Sequence, residues 1–311
     1  MSFEPRPMAL EYGRLVTRGA ISRRALLLGV GGSVTAAAGG FALVDDGVLP
    51  GRRALHRALG ACDVGGSLPS VAPGPIRYGS LASAARRRTV AYAIVYPPGT
   101  HTNASLPVCL YLHGRGGDHR DVSGRRIGLP WILADRVRAG SPPIVLVGAD
   151  GGVGYWHRRA SGDDAGRMLF DELVPMLHAR GFRTERIGLM GASMGGYGAL
   201  LWSERLGRRR VAAVGAMSPA IWHRYPDSAP GAFDSAADFA AHDVFAGIRR
   251  LSGIPVRVDC GKDDSFADAT RDFLARAPST TSGAISDGCH DPAFWRSAAY
   301  GQIANMARHL G

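Results

Sequence analysis

The stretch that most constrains this chain is Arg186 to Leu201, Arg-Ile-Gly-Leu-Met-Gly-Ala-Ser-Met-Gly-Gly-Tyr-Gly-Ala-Leu-Leu. A short apolar run, Ile187 to Met190, meets a turn crowded with Gly191, Gly195 and Gly196, and helix formers follow from Ala199. This order predicts strand, tight turn, helix, with Ser193 at the apex of a G-x-S-x-G spacing. Small neighbours let a strained turn push the hydroxyl out at the carboxyl end of a strand. The helix behind it aims its free N–H groups at any anion formed there. A chain with 43 glycines can produce this spacing by chance, so the surrounding sequence has to decide its meaning.

That context is a succession of strands and helices. Arg88 to Tyr96 alternates and is rich in β-formers. Pro107 to Leu112 is continuously apolar, as a strand buried on both faces must be, and it leads into His113-Gly114-Arg115-Gly116-Gly117-Asp118. Leu129 to Ala139 reads as helix, Ile144 to Gly148 as strand, and Ala165 to Arg180 as helix, with Leu169, Leu173, Met176 and Leu177 on one face. Val211 to Met217 and Ile254 to Cys260 are further strands. The alternation predicts an α/β fold, a doubly wound and mainly parallel sheet with sites at the carboxyl ends of its strands.

A serine nucleophile needs a base and an acid to orient that base. Both occur downstream in the order Ser, acid, His. Gly261-Lys262-Asp263-Asp264-Ser265-Phe266 leaves a strand with two carboxylates, and Gly288-Cys289-His290-Asp291-Pro292 puts a histidine just before the last helix. Asp264 is the expected acid, with Asp263 capping the next helix or solvating the turn. The expected oxyanion donors are the backbone N–H groups of Met194 and Arg115. His113 reads as holding the Gly114 loop by hydrogen bonds. His113 and Gly114 stand with Asp150, Tyr155, Trp156 and Trp295 as candidate substrate contacts, although Trp156 and Trp295 are equally readable as core aromatics.

These motifs together, with Asp150-Gly151-Gly152 and Trp295, resemble the esterase D family of α/β-hydrolases, which includes secreted mycolyltransferases and feruloyl-type esterases. The resemblance covers roughly residues 85 to 310. It implies a serine carboxylester hydrolase or acyltransferase with no metal or organic cofactor. The histidine in the oxyanion loop and an aspartate as acid, rather than a glutamate, favour the esterase branch. The alternatives are acyl transfer to a sugar hydroxyl and an inactive cell-surface binding module.

The remaining regions frame the domain. Ser22-Arg23-Arg24 precedes an apolar run to Val44, which predicts a twin-arginine-type export signal over 1–44 with a small-residue cleavage site near Ala36-Ala37-Ala38. The alternative is an N-terminal membrane anchor over residues 25–44. A linker over 45–80 then enters a hydrolase domain over 81–311 of about 230 residues, enough for one well-buried core. Ser218 to Gly253, with Trp222, Tyr225, Phe233, Phe239 and Phe245, reads as a short cap that either shapes a pocket or packs.

The net charge of +11 is almost all arginine, Lys262 being the one lysine. The arginines are scattered and no aromatics alternate with them, which argues against a nucleic-acid partner. It leaves association with an anionic cell envelope open. The expected partner is a small-molecule, lipid or glycolipid ester. The ten histidines show no paired metal-ligand spacing. Cys109 lies mid-strand and Cys260 ends a strand, so by elimination Cys62 and Cys289 are the expected disulfide in an oxidising compartment.

Overall fold

The computed structural model describes residues 51, 55, 56, 62, 64–101 and 105–311. The export-type segment, its cleavage site and the alternative anchor over 25–44 lie outside the described residues. Among the described residues no helix is long and apolar enough to cross a membrane.

Eight strands form one sheet: β1 (Ile76–Ser83), β2 (Arg88–Val95), β3 (Pro107–Leu112), β4 (Val145–Ala149), β5 (Arg183–Ala192), β6 (Val211–Met217), β7 (Val256–Gly261) and β8 (Thr281–Ser286), in the order β1-β2-β4-β3-β5-β6-β7-β8. β2 pairs antiparallel with β1 and β4, and every other pairing is parallel. Four helices of ten residues or more flank it: α1 (Leu129–Arg138), α2 (Met194–Leu206), α3 (Ala267–Arg276) and α4 (Pro292–Leu310). A composite helical segment runs over 165–179, with a π-wound turn at Met168–Leu173.

β3 explains the layering. Val108, Leu110 and Leu112 enter one core with Leu200 and Leu201 of α2 and Phe273 of α3. Cys109 and Tyr111 enter the other with Ile132 of α1 and Ile303 and Met306 of α4. Successive strand side chains point to opposite faces, so a strand covered on both sides must be apolar throughout. This is the α/β-hydrolase-type sheet that the sequence implies.

The sheet extends beyond the expected domain on one side. Residues 76–80, expected in the linker, belong to β1, and β8 forms the opposite edge without any expectation from the sequence. Both are edge strands whose side chains are almost all exposed or half-buried, so neither carries a buried apolar pattern.

Glu204, near the end of α2, is 6% exposed. Its carboxyl lies against Gly247, and its Oε1 has no hydrogen-bond partner among the described residues. Burial pushes its pKa up to about 9, against the pull of Arg250. An acid whose folded pKa exceeds its unfolded value loses stability as pH rises from the unfolded pKa toward the folded one. Glu204→Gln is therefore expected to stabilise the protein by about 1–3 kcal/mol at pH 7.5 and negligibly at pH 4. Urea titrations at both pH values check this, and an equal gain at both would sink it.

Candidate active site

The turn after β5 holds Ser193 at φ 55° and ψ −119°, a region that favours glycine and is strained for serine. Backbone bonds lock it there. The Ser193 N–H donates to the Met217 carbonyl at 2.9 Å, and the Ser193 carbonyl accepts from the N–H groups of Tyr197 and Ala220, both at 3.0 Å. The flanking glycines are steric necessities. A Cβ on Gly195 would lie 1.8 Å from the Leu112 carbonyl oxygen, and one on Gly191 would lie 2.4 Å from the Gly195 carbonyl carbon. Only bare backbone lets β3, β5 and α2 approach this closely.

The three candidate residues from distant loops meet at this turn. His290 Nε2 lies 2.9 Å from Ser193 Oγ, and His290 Nδ1 lies 2.9 Å from Asp264 Oδ2. Asp264 is fully buried, and its other oxygen, Oδ1, accepts the Phe266 N–H at 2.8 Å. A carboxylate only accepts, so the imidazole carries its proton on Nδ1 and presents a bare Nε2 to the serine hydroxyl. Phe266 and Trp295 flank the imidazole, each with its ring centroid 5.3 Å away, Trp295 edge-on at 89°. Asp263 points elsewhere: it is buried and its Oδ2 lies 2.5 Å from His56 Nδ1. The expected helix-capping role for Asp263 is thus replaced, and α3 begins without a side-chain cap.

Met194 is the first residue of α2, so its N–H has no place in the helical ladder. The Gly114 loop runs beside the serine, and a Cβ on Gly114 would lie 3.7 Å from Ser193 Cβ. Among the described residues neither the Met194 nor the Arg115 N–H donates to a protein acceptor. The exposed Arg115 side chain donates to the Pro230 carbonyl at 2.9 Å, linking this loop to the 218–253 segment.

Three expected substrate contacts have other tasks. His113 is 1% exposed, its Nδ1 donates to the Gly114 carbonyl at 2.8 Å and its Nε2 accepts the Gly151 N–H at 2.9 Å. Burial lowers its pKa and favours the neutral ring, which ties two loops together. Trp156 is fully buried beneath those loops, donating to the His113 carbonyl at 3.3 Å. Asp150 directs its carboxylate to His119, accepting from both its backbone N–H and its Nδ1 at 2.8 Å.

Tyr155 and Trp295 are buried, and ring contacts connect both to His290. Trp295 is 9% exposed and belongs to the core while its edge meets His290. Tyr155 is buried but stands in an aromatic row: its ring is 5.6 Å from Trp222, and Trp222 is 5.4 Å from Phe266, which adjoins His290. Burial raises the Tyr155 phenol pKa, opposed by Arg115. Within the 218–253 segment Phe233, Phe239 and Phe245 are buried packing, and the half-buried Trp222 is the aromatic that continues toward the histidine. Phe266 closes the acid-loop motif without an expected role of its own, and its position two residues beyond Asp264 is the available signal.

Three clusters among the described residues bring metal-type donors together, and each is otherwise engaged. Cys62 and Cys289 are joined to each other. His157 and His242 stack at 4.1 Å, and their Nδ1 atoms are engaged by backbone carbonyls, His157 with Arg158 at 3.0 Å and His242 with Asp238 at 2.7 Å. Asp150 holds His119 next to Asp118.

Residues 83–284 match the model of the Esterase family, described as "Putative esterase". No curated protein sequence matches the chain. Similar solved structures include the S-formylglutathione hydrolase of Agrobacterium tumefaciens, with 18% identity, TM-score 0.64 and a match over 79% of this chain and 99% of that one. A CE1 ferulic acid esterase of Anaeromyces mucronatus gives 18% identity, TM-score 0.61 and coverage of 80% and 96%. A fluorophosphonate-binding serine hydrolase of Staphylococcus aureus gives 16% identity, TM-score 0.62 and coverage of 76% and 99%. At these identities the structural likeness speaks to the fold, while the family match spans well over half of the chain. The chain belongs to the Esterase family, on an α/β-hydrolase-type fold that it shares with these structures.

Proposed function

We propose that the protein is an exported carboxylesterase working through an acyl-enzyme, with Ser193 as nucleophile, His290 as general base and acid, and Asp264 as the group that orients His290. The observation that carries this reading is the unbroken hydrogen-bond chain from Ser193 Oγ through His290 to Asp264. Ser193 Oγ attacks the ester carbonyl as its proton passes to His290 Nε2. The resulting oxyanion is held by the Met194 and Arg115 N–H groups, each of which is worth roughly 3 kcal/mol in comparable sites. The imidazolium then gives its proton to the departing alkoxide and the C–O bond breaks. Water repeats the sequence on the acyl-enzyme, releasing the acid and restoring Ser193.

Hydrolysis is supported over acyl transfer by the oxyanion-loop histidine and the aspartate acid, and by hydrolase and esterase names among the similar structures. The row from Tyr155 through Trp222 to Phe266 supports an apolar or aromatic group on the substrate. Export rests on the Arg23-Arg24 segment. The test is a p-nitrophenyl ester series of increasing acyl length, with and without trehalose as acceptor. Release of free acid that ignores the sugar is expected. Acyl groups appearing on trehalose in place of free acid would move the assignment to acyl transfer.

A further inference from the structure

The acid and the histidine sit on neighbouring loops, after β7 and β8. The two loops are joined by backbone bonds from the Asp263 N–H to the Gly288 carbonyl at 3.1 Å and from the Lys262 N–H to the Ser286 carbonyl at 2.7 Å. A segment preceding the whole sheet reaches both. His56 and Asp263 form a buried pair, 7% and 5% exposed, so His56 grips the residue adjacent to Asp264. Cys62 is bonded to Cys289, the residue adjacent to His290, with Cα atoms 5.1 Å apart.

The next residues continue along the histidine loop into α4. Val64 faces Gly288, where an added Cβ would lie 3.1 Å from the valine side chain. Gly65 lies so close to Ala293 that a Cβ would sit 2.4 Å from its carbonyl oxygen. The Gly66 carbonyl accepts from Arg296 at 2.9 Å. Each of these anchors falls on the two loops or on the first turns of α4. None falls on a strand.

We propose that His56, Cys62 and residues 64–66 act as a strap whose function is to position the acid and the base, with His56 and the Cys62–Cys289 bond as positioning residues. This rests on the reading of Ser193, His290 and Asp264 as the reacting set. The histidine must hold Nε2 on Ser193 while Nδ1 stays on Asp264, and displacements near 1 Å in such arrangements cost on the order of 100-fold in rate. The loop carrying His290 is short and bends at Gly288, which has φ 135°. Anchors on both sides of the Asp264–His290 hydrogen bond limit how far the two side chains can separate. The strap touches no reacting atom, so its loss lowers turnover and leaves substrate binding in place.

Two sets of variants test this on the full chain, with kcat, KM and the urea midpoint measured on each. The double variant Cys62→Ser/Cys289→Ser is expected to lose 10- to 100-fold in kcat with KM within twofold, under conditions where it remains folded. His56→Ala is expected to lose about 5-fold, and His56→Gln, which keeps a hydrogen-bonding side chain toward Asp263, to recover most of it. A folded double variant with kcat within twofold of wild type overturns the proposal. Activity lost only in step with unfolding across all variants overturns it too, since the segment then acts on the fold alone. Ser193→Ala separates the two readings. If that variant is dead while the strap variants are fully active, only the strap falls. If it retains activity, the reacting set itself is wrong.

Discussion

Ser193→Ala is expected to lower kcat for p-nitrophenyl ester hydrolysis by at least ~10⁴-fold and to abolish labelling by a fluorophosphonate probe. The hydroxyl is the group to which His290 Nε2 is aimed, and without it no acyl-enzyme forms. The residual rate then comes from water near His290 and the donors at Met194 and Arg115. The fold should be untouched, because the bonds that hold the turn use the backbone of residue 193. Stopped assays on the purified variant, with a urea midpoint beside them, are decisive. A folded variant keeping more than a tenth of the activity would remove Ser193 from the chemistry.

Asp264→Asn is expected to cost about 10⁴-fold in kcat with little change in KM. Here the hydrogen-bond directions determine the outcome. Oδ1 of residue 264 already accepts the Phe266 N–H, so the amide oxygen of asparagine takes that place and its NH₂ faces His290 Nδ1. Nδ1 must then accept and the proton moves to Nε2, which donates to Ser193 where it formerly accepted. The three side chains stay in contact while the base is disabled. A tenfold loss or less would show that Asp264 only packs the histidine.

The legibility of this protein in its sequence follows burial. β3 and β6 match the expected ranges residue for residue, because strands covered on both faces can contain only apolar or small residues. β1 and β8 were invisible because an edge strand with a wet face carries no such signature. The contact of Ser193, His290 and Asp264 is legible because the proposed chemistry demands three residue types in a fixed order at loop positions. The pocket is not.

Tyr155 and Trp156 sit at φ 53° and 61°, a kink that turns Trp156 beneath the Gly114 loop and leaves Tyr155 facing Trp222. No side-chain pattern announces that reversal in non-glycine residues. His113 has the residue type of a catalytic group, yet two backbone partners use up both of its nitrogens. The His56–Asp263 pair spans 207 positions, and nothing local to either residue marks the other.

The separation of 227 residues between Cys62 and Cys289 has a consequence for the order of synthesis. At roughly 5–20 residues per second, Cys62 leaves the ribosome about 10–45 seconds before its partner exists. The serine turn, its glycines and most of the sheet can form during that wait, but the base and the residue that anchors it are translated together near the end. On the proposed mechanism a nascent chain therefore carries its serine long before its histidine, and full turnover waits until the first and last parts of the domain meet.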